Sequence, residues 1–190
     1  MSDTQIKVHI YRIRKLKNLK YLAKAYELYT EVKNKEPELL KECTDDTKYE
    51  YYLMKIELET MLLNHTKAIE VIKTILVPLV ASDIVKSKHV EFILAKTYSE
   101  GSWFAPAYYS LMDICSDTSY DLEDYISAHL IVANLYSNLT LFEKSKEYVE
   151  KAKEIIKSNS EKLDNLLLYY ELKCIFTEAK MYPGGVLDTR

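Results

Sequence analysis

Four histidines (His9, His65, His89 and His129) and three cysteines (Cys43, Cys115 and Cys174) are the side chains best suited here to act as bases, nucleophiles or soft metal ligands. Their spacing organises none of that chemistry. No His pairs with a Cys at catalytic or ligand spacing, and no Gly-rich phosphate loop, Gly-x-Ser-x-Gly or His-Glu-x-x-His motif occurs. The acid pairs Asp45 with Asp46 and Glu123 with Asp124 fall at helix starts, where the helix dipole favours them without catalysis. The sequence therefore points away from an enzyme, with no catalytic residue, no metal site and no cofactor. What remains is the chemistry of recognition. The carboxamide of Asn134 offers a donor and an acceptor, so it can pair with a peptide backbone of any sequence. Lys96, Arg14 and Lys17 are cations able to hold an acidic peptide or a terminal carboxylate.

Composition says what scaffold must position them. With three Gly and four Pro in 190 residues, the turn chemistry of a many-stranded fold is missing, and Leu, Lys, Glu, Ala and Ile favour helix instead. The chain reads as all-α, one domain over 1–182 with a flexible tail 183–190 in "YPGGVLDTR". Seventeen tyrosines, against one Trp and four Phe, suit half-buried helix faces and contact surfaces alike. The cysteines, odd in number and far apart, fit buried residues in a reducing compartment. The N-terminus lacks an apolar signal core and no stretch approaches membrane-spanning length, so a cytoplasmic protein without a membrane partner is expected. Charge is uneven: Lys7, Arg12, Arg14, Lys15, Lys17, Lys20 and Lys24 are seven cations without an acid among them, in a chain of net charge −3.

The elements repeat. From Ala133, a ring follows at Tyr136, another at Phe142, a small residue at Ser145, and apolar residues at Val149 and Ala152; from Ala95 the same offsets give Tyr98, Phe104, Ala107, Leu111 and Ile114. The second half recurs as His65, Ala68, Ile72 and Ile75, and as Leu22, Ala25, Tyr29 and Val32. The small residues Ala25, Ala68, Ala107 and Ser145 are thus 43, 39 and 38 apart, a period expected of helical hairpins. A small residue where two helices cross lets their backbones approach, and bulky neighbours fill the flanking grooves. Helices are expected at about 5–18, 20–35, 47–63, 66–80, 87–100, 104–116, 121–138, 141–157 and 160–181, the first two open to being one continuous helix. Thr47, Thr140 and Ser158 have capping-box spacing to Glu50, Glu143 and Glu161. Gly101 and Asn138 fall where left-handed residues would end a helix. Pro37 should stop a helix and Pro78 end or kink one.

This pattern resembles the tetratricopeptide repeat over residues 5–157, as four units with 160–181 similar to the solvating last helix of such arrays. The units built on Ala95 and Ala133 match well. In the unit of Ala68 the place of Tyr136 is taken by Glu59, unless the turn there is a residue shorter. The Lys-, Asn- and Tyr-rich texture of "YISAHLIVANLYSNLTLFEKSKEYVEKAKEII" is similar in style to the peptide-binding arrays of Gram-positive pheromone receptors, the Rap, Rgg and PlcR group, whose N-terminal output domain has no counterpart here. The resemblance implies a right-handed α-solenoid of about four hairpins and a capping helix, binding through the concave surface of its first helices. Carried onto this chain, that surface would hold His89, Phe92, Lys96 and Ser99 in one unit, Ser127, Leu130, Asn134, Ser137 and Asn138 in the next, and Lys7, Ile10, Arg14 and Lys17 in the first.

The function expected is non-catalytic docking of a peptide or extended protein segment in that groove, with a regulatory role and homo-oligomerisation through an end hairpin as accompaniments. Two alternatives stand beside it. The basic segment 7–24 could neutralise nucleic-acid phosphates, although Ile6, Ile10, Ile13, Leu16, Leu19 and Ala23 form a core stripe and scatter the cations over the other faces. A structural subunit of a larger assembly would instead show large exposed apolar patches.

Overall fold

The computed structural model describes residues 3–181. Among the described residues every regular element is helical, and no helix is long and apolar enough to cross a membrane. By its internal contacts the chain divides into two compact units, one running to Ser87 and the other from Lys88, where length had pointed to one domain over 1–182. The tail read over 183–190 lies outside the described residues.

The first unit contains α1 (Asp3–Asn18), α2 (Leu22–Lys33), a short α3 (Glu36–Leu40), α4 (Asp45–Met61), α5 (His65–Val71), a π-helical turn (Ile72–Leu76), a closing turn α6 (Val77–Leu79) and the start of α7 (Ile84–Glu100). Helix α1 packs on α2 and α4, and α4 on α5. Ile6, Ile10, Ile13, Ala25, Tyr29, Val32, Met54 and Leu58 fill the core. The α1 stripe stops at Leu16, because the chain turns at Lys20 and leaves Leu19 and Ala23 exposed. Pro37 sits in the first turn of α3 instead of merely stopping α2, since an N–H there would make no intrahelical bond. Thr44, not Thr47, caps α4: its hydroxyl accepts from the Thr47 N–H at 3.4 Å, and Thr47 itself is buried. Ahead of Pro78 the π turn widens the helix, and the buried positions run Ala68, Ile72, Leu76, Val80. That four-residue stride replaces the expected Ile75 with Leu76.

The second unit holds the rest of α7, then α8 (Phe104–Ser116), α9 (Leu122–Asn138), α10 (Phe142–Ser158), a short α11 (Ser160–Leu163), a 3₁₀ turn (Asp164–Leu166) and α12 (Leu167–Ala179). Helix α9 is flanked by α8, α10 and α12 and is accordingly buried around most of its circumference, at Ile126, Ala128, Leu130, Val132, Ala133 and Leu135. Ser158 ends α10 and caps nothing.

One turn geometry occurs four times. Lys20, Leu63, Ser102 and Thr140 have φ of 60–65°, and each precedes by five the small residue Ala25, Ala68, Ala107 or Ser145. Tyr21, Asn64, Trp103 and Leu141 donate their backbone N–H groups to the carbonyls of Leu16, Glu59, Tyr98 and Tyr136 at 2.8–2.9 Å, while the left-handed residues donate to Lys17, Thr60, Ser99 and Ser137 at 2.9–3.1 Å. These paired bonds satisfy the carbonyls that a helix end leaves open. Their phase makes Glu59 the equivalent of Tyr98 and Tyr136, so that turn is not a residue shorter. Left-handed backbone falls on Ser102 and Thr140, one place past Gly101 and two past Asn138, and none of the four residues in this turn position is a glycine. Each carries a steric cost of about 1–2 kcal/mol that the bond pair and packing offset. All four small residues are 0% exposed. At the last, Ser145 Oγ donates to the Ala133 carbonyl at 2.7 Å, a bond that only a close approach of α10 to α9 permits.

Candidate functional site

In the first unit, one face of α1 carries Lys7, Ile10, Tyr11, Arg14, Lys15 and Asn18, and with Leu19 just past its end and Glu50 of α4 they line a cleft of about 530 Å3. Three of them, Lys7, Ile10 and Arg14, are positions the repeat resemblance assigned to the binding surface. Arg14 is held by Glu50, Nη1 to Oε2 at 2.7 Å, and Lys17 by Glu57 at 2.5 Å, so both of these cations brace α1 against α4. Lys7 and Lys15 supply the cleft's excess positive charge, with the Lys15 Nζ 5.8 Å from the centroid of the exposed Tyr11 ring. Ile10 is buried beneath them, and Tyr11 and Leu19 expose apolar surface. The cleft can thus accept an acidic group and an apolar side chain side by side. The sequence pointed to Lys15 only as one of seven cations and to Glu50 only as a helix-capping residue, and to Tyr11 not at all. A ring between cations one residue from the core stripe is a readable signal for Tyr11; Glu50 sits 36 residues from its partner and has none.

The expected surface of the second unit is dispersed. Phe92 and Leu130 are 5% and 4% exposed and belong to the core, because helices cover α9 on three sides and Phe92 packs in the same cluster; neither can meet a ligand. Ser137 is buried as well. Asn134 is part-buried and occupied at both ends of its carboxamide: Nδ2 donates to the Leu130 carbonyl at 2.9 Å and Oδ1 accepts from Lys180 Nζ at 3.1 Å. His89 pairs Nδ1 with Oδ2 of buried Asp124 at 2.6 Å. Lys96 is exposed beside Glu100 at 3.9 Å, and Ser99 is half-buried near the end of α7. Asn138 is exposed and helps line an apolar pocket of about 340 Å3 with Phe104, Tyr108, Tyr109, Tyr136 and Leu139, where the Tyr108 and Tyr136 hydroxyls meet at 3.0 Å.

The hydrogen bond to Asp124 holds His89 above the usual imidazole range, against the pull of burial. Burial holds His129 below it. Burial also pushes the Cys115 thiol up to about 12 and the Cys174 thiol up to about 11, and raises Cys43, so each is a protonated, poorly nucleophilic thiol at neutral pH. Among the described residues no three His, Cys, Asp or Glu side chains gather as a metal site. No protein-family model matches this chain, and neither a curated protein nor a solved structure gives a significant match to it.

Proposed function

We propose that this chain is a tetratricopeptide-like array, a right-handed α-solenoid of about four hairpins, that docks an extended acidic peptide or protein segment and catalyses nothing. The observation that carries the reading is the fourfold turn, whose phase places Ala25, Ala68, Ala107 and Ser145 at equivalent buried positions; hairpins of that kind bury their shared faces only by stacking. The α1 cleft is the docking surface best equipped for a ligand. It pairs the charge of Lys7 and Lys15 with the apolar surface of Tyr11 and Leu19, on a helix braced by Arg14–Glu50 and Lys17–Glu57. A preformed cleft spares the cost of ordering the receptor, leaving the ligand's ordering and its lost rigid-body freedom as the entropic cost of binding. Those two braces also count against a nucleic-acid role for the segment 7–24, since they occupy two of its seven cations with carboxylates.

Fluorescence anisotropy with a labelled peptide of alternating Glu and Leu, its Lys and Leu counterpart, and a DNA duplex tests the proposal. The expected result is saturable binding of the acidic peptide alone, weakened about tenfold or more by Lys7→Glu with Lys15→Glu. Salt-sensitive binding of the duplex without the acidic peptide, or binding indifferent to the double substitution, would overturn it.

A further inference from the structure

Helix α12 has the composition of a helix covered on both sides. Tyr170, Cys174 and Thr177 are buried on its inner face, where α12 meets α9 and α10. Its outer face was expected to be solvating, as the last helix of a repeat array is. Instead Leu168, Tyr169, Leu172, Ile175 and Phe176 are 65%, 49%, 43%, 52% and 67% exposed. Residues 168, 172, 175 and 176 fall at helical spacing on one stripe, directly opposite the buried one. A helix apolar all round is a buried helix, and a contiguous patch of this kind on a folded chain marks an interaction surface.

The charges beside the stripe say what covers it. Leu172 is the centre, and its neighbours Glu171 and Lys173 stand about 100° to either side of it. One residue period of seven further on, Glu178 continues the acidic edge and Lys180 the basic edge. The contacts of those two confirm the assignment: Glu178 pairs with Lys153 of α10, and Lys180 with Asn134 of α9. Lys173 is pinned on its edge by stacking, with Nζ 4.4 Å from the Tyr169 ring centroid. One edge is therefore acidic and the opposite edge basic. A two-fold axis running along the helix lays the acidic edge of one copy over the basic edge of another; an axis perpendicular to it sets acid against acid and base against base. Edge charges of this kind select partner and orientation in paired helices.

We propose that this face docks a second copy of the chain, α12 against α12 in parallel, with Leu168, Leu172 and Phe176 each facing its own counterpart and Glu171 facing Lys173 of the other copy. The surface is separate from the α1 cleft, so the proposal stands or falls independently of peptide docking.

Sedimentation equilibrium of the full chain over micromolar to submillimolar concentrations should show a monomer–dimer equilibrium. Leu172→Glu should leave only monomer while the circular dichroism spectrum is unchanged. Glu171→Lys should weaken the dimer about fivefold or more, and adding Lys173→Glu should restore it. In a Cys115→Ser background, Leu168→Cys and Phe176→Cys should each form a disulfide with itself on oxidation. A chain monomeric at every concentration, a dimer indifferent to Leu172→Glu, or cross-linking only when the Leu168→Cys and Phe176→Cys proteins are mixed would overturn the proposal; the last result would make the pairing antiparallel. Should Leu172→Glu disturb the fold, the cysteine pair alone decides between these outcomes.

Discussion

The same hairpin turn closes over two different interiors. In the first unit, Glu59 occupies the place after which the chain turns, 3% exposed, and accepts from Tyr29 at 3.1 Å and Asn64 at 2.9 Å, with Lys33 at 3.5 Å. Nearby, Glu36 takes the ammonium of Lys55 at 2.7 Å and the hydroxyl of Tyr51 at 3.0 Å. In the second unit the equivalent place belongs to Tyr136, which meets Tyr108 edge-on at 5.9 Å and Tyr148 at 5.6 Å, and His129 packs edge-on to Tyr125 and tilted against Tyr148. Around the turn, Glu59 of one unit gathers a carboxylate network and Tyr136 of the other a cluster of rings. The backbone bonds and the small residue five places past the left-handed one are common to both, so they set the hairpin, and the side chain at the turn is free to vary as long as its neighbours satisfy it.

Exchanging the two devices breaks the comparison most severely. Glu59→Tyr leaves the Tyr29 hydroxyl, Asn64 and Lys33 without their acceptor, and Tyr136→Glu sets a carboxylate among rings. Each should cost about 3–5 kcal/mol in urea unfolding, and equal tolerance of either swap would mean that the interiors are interchangeable. Next in size, Ser145→Ala removes the hydroxyl that the three alanines lack and should cost about 1 kcal/mol through the freed Ala133 carbonyl. Smaller still, and opposite in sign, Leu63→Gly or Thr140→Gly should stabilise by about 0.5–1 kcal/mol, because glycine accepts the left-handed backbone without strain. The same change in mid-helix would destabilise.

The smallest signals are slopes with pH. His89 has a raised folded value, so its contribution is complete below the unfolded value of about 6.5 and is lost as pH rises through the folded one. His129 has a lowered value, so its contribution is present above about 6.5 and lost as pH falls. His89→Gln should therefore lean the stability profile toward high pH, and His129→Gln toward low pH. Burial works to raise Glu59, but the hydrogen bonds from Asn64 and Tyr29 and the charge of Lys33 outweigh it and hold the carboxyl below its usual range. Its contribution is present above the ordinary carboxylate value and lost as pH falls through the folded one, so Glu59→Gln should lessen the loss of stability in acid. Unfolding midpoints followed across the range, variant against parent, read all three.

Much of the helical layout was legible because it rests on local rules: apolar spacing, few breakers, and a small residue at each crossing. Ala25, Ala68, Ala107 and Ser145 are buried as their spacing implied. What escaped depends on non-local partners. The left-handed positions fell on Lys20, Leu63, Ser102 and Thr140 because hairpin closure dictates the site and overrides the glycine preference. The π turn before Pro78 displaced one buried position. Leu130 looks like a surface residue on a helix covered from one side, and only packing reveals that α9 is covered from three and that Phe92 of α7 joins the same cluster. Lys7, Ile10 and Arg14, which the resemblance implied as surface positions, line the α1 cleft, while the opposing Glu50 comes from another hairpin. Tyr pairs show the same limit: the rings of Tyr51 with Tyr52, Tyr108 with Tyr109 and Tyr169 with Tyr170 all meet near edge-on, yet which ring turns inward follows from neighbours alone.

The measurement that bears most directly on the hairpin array is a four-point substitution series, Ala25→Leu, Ala68→Leu, Ala107→Leu and Ser145→Leu, with exposed Ala23→Leu as control, each unfolded in urea. Equivalent crossings predict a loss of about 1–3 kcal/mol or more at all four positions and almost none at Ala23. A leucine accepted at any of the four as readily as at Ala23 would contradict the equivalence on which the account is built.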